Sequence, residues 1–368
     1  MIKRLCILIL ASCLVFAACA KKENQNTLRI GLAGVQTGAD GQLGSSMIKG
    51  AQIAIDEWNA KGGVLGKQIE AVSRDDEGKP DKAVTVAQEL VSLGAKAVIG
   101  HFNSGCSIPA SAIYENRGVV NITPASTNPK LTEQGFKHVF RVVGRDDQQG
   151  KVAADFASAK LKVKTLAIMH DKSAYGEGIA TEVKKTFEAN GGKVALFDGI
   201  GKDERDFRAN LAKIKESGAE ALYFGGLYAQ AGPFVVQLRE AGIKIPFLSG
   251  DGCIDQTFIN TIGNHTDNIF LTFGPDYKNL PSAKNFLETY RKKFGPEGGY
   301  SIYGYDAVNV LLEAIAAAGT ADPAKVADTL RSKTFQTALG PVAFDDKGDL
   351  KQANFVIWVV KDGSFAVY

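Results

Sequence analysis

From Leu28 onward the chain alternates short apolar runs with stretches of helical periodicity, and it does so in two successive blocks. The runs of the first block are Leu28–Leu32, Gln68–Val72, Ala97–Gly100 and Val119–Ile122. Between them Ile48, Ala51, Ile55 and Trp58 recur at helical spacing, as do Ala83, Val86, Ala87, Leu90 and Val91. Pro80-Asp81 opens the second of these stretches as a helix start. Successive β-α-β units of this kind predict a mostly parallel sheet with helices on both faces. After Gly144 the pattern restarts with Thr165–Met169, Val194–Phe197, Ala221–Phe224 and Pro246–Leu248. Helical stretches around residues 147–162, 176–190, 206–217 and 234–241 separate those runs. The two blocks share an architecture and no obvious sequence repeat. The fold class is therefore α/β, with two similar doubly wound lobes.

Beyond Gly274 the order changes. Helical segments at 282–294, 301–317 and 323–332 are followed by β-like segments at 341–344 and 355–360, with Lys361-Asp362-Gly363 as a hairpin turn. A tail of this kind cannot build a third domain alone, so it should return to complete the first two lobes. Three crossings then follow, near residues 144–147, 272–278 and 350–354, and they form a hinge. The expected division is residues 28–145 with 275–351 as the N-terminal lobe, and 146–274 with 352–368 as the C-terminal lobe.

The first residues set the compartment. Lys3 and Arg4 precede an apolar stretch from Leu5 to Phe16, the pattern of a secretory signal and too short to span a bilayer. Phe16-Ala17-Ala18-Cys19 looks like a bacterial lipobox with Cys19 as the acylated residue, giving a signal peptide over 1–18 and a polar tether over 19–27. Leu10-Ala11-Ser12-Cys13 and cleavage after Ala18-Cys19-Ala20 are the competing cuts. The exported chain is expected in the periplasm or on the outer face of a bacterial membrane, held there by a lipid on Cys19. Export removes access to ATP and to cytosolic cofactors.

Without Lys3 and Arg4 the formal net charge falls from +3 to +1, and no later basic stripe offers a nucleic-acid footprint. Cys106 and Cys253 fall in different lobes, where a bridge would hinder motion, so they read as two buried thiols. The four histidines form no metal-binding spacing, and no G-x-S-x-G elbow, G-x-G-x-x-G or P-loop occurs. Asp75-Asp76-Glu77 is expected to be a solvated loop rather than a cation site. No catalytic residue, metal or cofactor is assigned.

In open α/β sheets a ligand lies beyond the carboxyl ends of the strands. There the first block carries Asn103-Ser104-Gly105-Cys106-Ser107 and Pro124-Ala125-Ser126-Thr127-Asn128, two small, hydroxyl-rich turns suited to an anion and equally to helix capping. The second block carries Gly250-Asp251-Gly252, where Asp251 could face a cation or simply close a turn. An anion cradle on one lobe and an acid on the other would fit a zwitterion.

Several segments together resemble a known family. They are Asn59–Gly63, Gly100–Ser111, Ile122–Ala125, His170-Asp171-Lys172 with Tyr175–Gly178, Phe197–Ile200 and Asp346–Lys351, in order over nearly the whole exported chain. The chain is similar to the periplasmic leucine/isoleucine/valine-binding proteins of ABC importers, of the type I periplasmic-binding fold. The resemblance implies that Ser104, Thr127 and backbone groups at Ala125 hold an α-carboxylate. It implies that Asp251 meets the α-ammonium, that Tyr175 closes over the ligand, and that Phe102, Asn103 and Tyr300 line the side-chain pocket. Leu43 and Leu227 stand where some relatives have tyrosines, which points to an apolar pocket and an aliphatic amino acid, with an aromatic one next. The relatives' disulfide between the Gly78 loop and position 103 has no cysteines here. Implied partners are permease subunits and a membrane surface, with the protein itself a monomer. A ligand sensor of the same fold is the alternative.

Overall fold

The computed structural model describes residues 26–368. The signal segment, Cys19 and residues 19–25 of the tether lie outside the described residues. The first block contains β1 (Thr27–Gly34), α1 (Gly41–Ala60), β2 (Gln68–Asp75), α2 (Pro80–Ser92), β3 (Ala97–Ile99), α3 (Ser104–Asn116), β4 (Val120–Thr123), α4 (Lys130–Glu133) and β5 (Val139–Arg141). The second contains α5 (Asp146–Asp155, continued by a π turn), β6 (Thr165–His170), α6 (Ala174–Ala189), β7 (Lys193–Gly199), α7 (Arg208–Glu216), β8 (Ala221–Gly225), α8 (Tyr228–Glu240), β9 (Phe247–Ser249), α9 (Gln256–Ile262) and β10 (Ile269–Phe273). The remainder is α10 (Lys284–Phe294), α11 (Ser301–Ala318), α12 (Pro323–Ser332), β11 (Thr334–Thr337), β12 (Gly340–Ala343), β13 (Val356–Lys361) and β14 (Ser364–Val367).

The two large sheets repeat one topology. The first runs β2-β1-β3-β4-β5 and is parallel throughout. The second runs β7-β6-β8-β9-β10 in the same sense, then continues antiparallel into β13 and β14. In each sheet the order reverses beside the block's first strand, and a crevice opens outside the strand ends at such a switch point. Strands β3, β4, β8 and β9 are buried along their whole length, as continuous apolar runs between helix layers must be. The tail does return. Leu311, Leu312 and Ile315 of α11 pack with Ile30, Leu32 and Ile122 of the first sheet, while β13 extends the second.

Pro80 opens α2 and Asp81 sits in its first turn, because proline's fixed φ and missing N–H suit a helix start. The Asp362-Gly363 turn has φ of 50° and 72°, the doubly left-handed form that matches strand twist. Three strands escape the sequence reading. β5 is three residues long and β11 four, and β10 lies at the edge of a crossing, where its apolar run reads as linker. Helix α9, seven residues, is missed for the same shortness.

The first and third crossings meet. A Cβ on Gly144 would lie 2.4 Å from the Phe355 ring and 2.8 Å from the Ala353 Cβ, so only glycine lets these segments pass. Trp358 Nε1 donates to the Gly274 carbonyl at 2.9 Å and ties the second crossing to β13.

The Asp75–Glu77 expectation needs correcting. Asp76 is fully buried, and its Oδ2 lies 2.6 Å from His101 Nδ1, whose Nε2 is 2.9 Å from the Tyr114 hydroxyl. Asp75 accepts from the Gln36 and Glu77 backbone N–H groups, and Glu77 pairs with Lys79 and Lys82. His101 just after β3, the Gln36 N–H after β1, and Lys79 and Lys82 around the start of α2 supply partners that a solvated loop would take from water. Among the described residues no group of three or more His, Cys, Asp or Glu is placed to hold a metal. Cys106 and Cys253 are free and buried.

Candidate functional site

The turns that follow the strands of both sheets converge on one gap of about 250 Å³. Of the residues singled out in the sequence, Phe102, Asn103, Ser104, Ala125, Tyr175, Leu227, Asp251 and Tyr300 line it, together with Gly252. Thr127 is buried and does not line the gap. Leu43 is buried in the first turn of α1, in an apolar cluster with Phe102 and Ala125, and is not on the wall. The loop from Gly78 reaches position 103 as the relatives' disulfide would require. A Gly78 Cβ would lie 3.4 Å from Asn103 Oδ1.

The first sheet supplies the hydroxyl-rich turns. Ser104 begins α3, is buried, and its Oγ accepts from Asn128 N at 3.3 Å, leaving the hydroxyl proton uncommitted. Thr123 Oγ1 accepts from the Ser126 N–H at 3.0 Å and donates to the His101 carbonyl at 2.7 Å, which fixes the Ala125–Asn128 turn against β3. Arg141, also fully buried, clamps the same turn from beneath. Its guanidinium donates to the Ser126 carbonyl at 2.7 Å, to the Asn128 carbonyl at 3.1 Å and to Asp349 Oδ1 at 2.6 Å. Ser104→Ala is expected to weaken anion capture by about 1–3 kcal/mol. Calorimetric titration of the variant checks this, and an unchanged affinity would leave the cradle to backbone groups alone.

The second sheet supplies the acid. Asp251 is buried, with Oδ1 accepting from the Tyr175 hydroxyl at 2.6 Å and Oδ2 from the Tyr300 hydroxyl at 2.5 Å. Burial pushes its carboxyl above the usual range, and the two tyrosine hydrogen bonds oppose that. The flanking glycines have a steric reason. A Cβ on Gly250 would come within 2.5 Å of the Tyr175 hydroxyl, and one on Gly252 within 2.7 Å of the Gly226 carbonyl and 2.9 Å of the Tyr175 ring. Tyr175 reaches this position from the first turn of α6, where Ser173 caps the helix by accepting from Gly176 N at 2.9 Å.

Tyr300, at the start of α11, comes to Asp251 from the returning tail. Its ring packs edge-on to Phe102 at 4.8 Å between centroids. The wall between the polar ends is thus aromatic and aliphatic. Further contacts cross between the two blocks. Asn128 Nδ2 donates to the Ala174 carbonyl at 2.6 Å, and the Tyr228 hydroxyl to the Ala39 carbonyl at 2.7 Å. Sequence reasoning missed Gly252 on the wall and the buried Asp146, Gln149 and Tyr223 near it. Only Gly252 had a signal, its place in the Gly-Asp-Gly turn.

A two-lobed α/β frame with a closed, chemically two-ended gap defines a small-molecule binding protein. The chain belongs to the periplasmic binding protein family, whose profile matches residues 27–364. It is 40% identical over 334 residues to the leucine-, isoleucine-, valine-, threonine- and alanine-binding protein of Pseudomonas aeruginosa, covering 90% of each chain. Its structure is similar to a leucine-binding protein, LivK, of Thermotoga maritima, with a TM-score of 0.87, 31% identity, and 93% and 97% of the two chains covered. It is also similar to the branched-chain amino acid transporter substrate-binding protein LivJ of Streptococcus pneumoniae in complex with isoleucine. There the TM-score is 0.84, the identity 29%, and 93% and 99% of the chains are covered.

Proposed function

We propose that this chain is the extracytoplasmic substrate-binding protein of an ABC importer and that it captures a branched-chain amino acid, leucine, isoleucine or valine. The observation that carries the reading is the gap itself. It has the Ser104 hydroxyl and the Ala125–Asn128 turn at one end, a buried carboxylate at the other and an apolar wall between. Ser104, Thr127 and the Ala125 backbone take the α-carboxylate, and the Asp251 side takes the α-ammonium. Phe102, Leu227 and Tyr300 enclose the side chain, and Asn103 borders it. Charges buried this way need full hydrogen-bond satisfaction, and the ordered turns at both ends supply it.

Residues 28–145 with 275–351 form one lobe, and 146–274 with 352–368 the other. The lobes close about the three crossings and bury the ligand, and the closed face is what permease subunits engage. Capture involves no chemical step, so the ligand should be recovered unchanged. A lipid on Cys19 would keep the protein at a membrane surface, although one acyl chain binds only reversibly.

The test is a thermal-shift screen of refolded, ligand-stripped protein against the common amino acids and their deaminated and decarboxylated analogues. Ligand at a hundredfold excess over Kd stabilises by about 2.7 kcal/mol, a clear rise in melting temperature. The expected result is a rise with leucine, isoleucine or valine and none with analogues lacking either charge. A rise with phenylalanine or tyrosine instead would assign the pocket to aromatic amino acids. No rise with any amino acid would reject the reading.

A further inference from the structure

Asp40 stands at the N-cap position of α1, where an aspartate ordinarily accepts from the first N–H groups of its own helix. Here it makes no such bond. The groups that act on its charge belong to the second block instead. The Ala229 backbone N–H, Lys202 and Arg205 favour the charge, and Asp171 opposes it. Helix α8 carries Ala229 in its first turn and has no cap of its own, because the residue before it, Leu227, offers no side-chain acceptor. The adjoining residues hold the same contact. The Tyr228 hydroxyl, from the first position of α8, donates to the Ala39 carbonyl at 2.7 Å. An N-cap residue without a bond to its own helix thus faces the N-terminus of an uncapped helix across the gap.

The Asp40 charge is poorly compensated there. Its Oδ1 is buried and has no hydrogen-bond partner. Arg205 Nη1 donates to the Lys202 and Glu204 carbonyls at 3.1 and 2.9 Å, and both Arg205 and Lys202 are exposed, so water screens them. Asp171, just after β6, is a second acid, held by the Ser173 N–H at 2.9 Å. Asp255 is a further acid on the Tyr228 side, and burial pushes the Tyr228 hydroxyl up, so it stays a donor. Burial between the blocks pushes the Asp40 carboxyl up from 3.8 to about 6, against the pull of the Ala229 N–H. Parting the lobes would return the side chain to water and to its ordinary value. A carboxyl that holds its proton more tightly in the closed form makes closure take up a proton between those two values. Closure is therefore favoured as the pH falls through about 6.

We propose that Asp40 is a proton-coupled latch between the lobes: on closure it caps α8 across the gap and takes up a proton, so ligand capture tightens as the medium is acidified. The inference rests on the capture-by-closure reading above and adds a device to it. The protonated carboxyl keeps an oxygen for the α8 N–H groups and leaves no buried charge, whereas the carboxylate makes the same contact against its own desolvation. Asparagine in its place would cap without titrating.

The experiment is calorimetric titration of the full exported chain with L-leucine at about pH 7.5 and about pH 5, for the parent, Asp40→Asn and Asp40→Ala. Melting temperatures are taken without ligand. Leucine keeps both its charges over this range, and Asp171 and Asp251 are common to all three proteins, so differences between them report residue 40. The parent's gain in affinity on acidification should exceed that of Asp40→Asn by about tenfold, the factor that a rise from 3.8 to about 6 allows. Asp40→Ala should bind about fivefold more weakly than Asp40→Asn at both pH values, because alanine cannot cap. The ligand-free proteins should melt within about 2 °C of one another, since the open form leaves residue 40 in water. Gains that agree within about twofold between the parent and Asp40→Asn would overturn the proton coupling. Equal affinities for the two variants would overturn the cap. A pH-independent loss in both variants, melting about 5 °C lower, would mark a structural role and overturn the whole assignment. A parent that binds neither leucine, isoleucine nor valine fails at the earlier step and removes the amino-acid reading along with this one.

Discussion

Asp251→Ala is expected to lower the affinity for the captured amino acid by about 2–5 kcal/mol. The loss has two sources. The ligand's ammonium loses a buried counter-charge, and the Tyr175 and Tyr300 hydroxyls lose the acceptor they hold at 2.6 and 2.5 Å. Both tyrosines are buried, so neither hydroxyl regains water in the closed state. Isothermal titration of parent and variant with L-leucine measures the effect, and affinity within about a factor of two of the parent would reject the role given to Asp251. Asp251→Asn separates the sources: it keeps an acceptor for one tyrosine and removes the charge, so the residual loss reports the ammonium.

Arg141→Met should cost about 3–5 kcal/mol of folding stability. The guanidinium is fully buried and makes four hydrogen bonds, to Asp349, the Ser126 and Asn128 carbonyls and Thr132 Oγ1. Removing it leaves the Ser126 carbonyl without a donor, leaves the Asn128 carbonyl with the Leu131 N–H at 3.2 Å, and leaves Asp349 with Arg145 as its remaining cation at 2.7 Å. Urea unfolding gives the stability difference. A cost below about 1 kcal/mol would mean that the clamp is dispensable. The double replacement Arg141→Met with Asp349→Leu should recover part of the loss, since a pair removed together leaves no stranded charge. Because the pair joins the Ala125–Asn128 turn to the segment before the third crossing, the single variant should also bind ligand more weakly than its stability loss alone explains.

Much of the fold is legible in short patterns. Continuous apolar runs such as Ala97–Ile99 and Ala221–Gly225 could only be strands buried on both faces, and Pro80-Asp81 and Asp362-Gly363 carry their backbone geometry in their chemistry. What went unread was short or edge-placed. β5 and α9 offer too few residues for a period to emerge, and β10 owes its pairing with β13 to residues more than eighty positions away. The site divides the same way. Ser104, Thr127 and Asp251 stand out because small hydroxyl residues and a glycine-flanked acid follow apolar runs. Asp146 does not stand out. It reads as one of two acids at a helix start, where carboxylates are ordinary. The Asp75–Glu77 run misled for a related reason, since three acids in a row look solvated until His101, itself held by Tyr114, is brought against the middle one.

The sequence by itself therefore determined the two β-α-β blocks, the returning tail and the candidates at each strand end. These depend on periodicity and turn chemistry, which are local. Only the tertiary structure decided that Tyr175 and Tyr300 both bind Asp251, that Arg141 clamps the Ala125–Asn128 turn, and that Leu43 packs away from the gap. Each of those depends on what meets a side chain after burial. Burial sets the cost of every unpaired polar atom, and no local pattern records which distant residue will come to pair it.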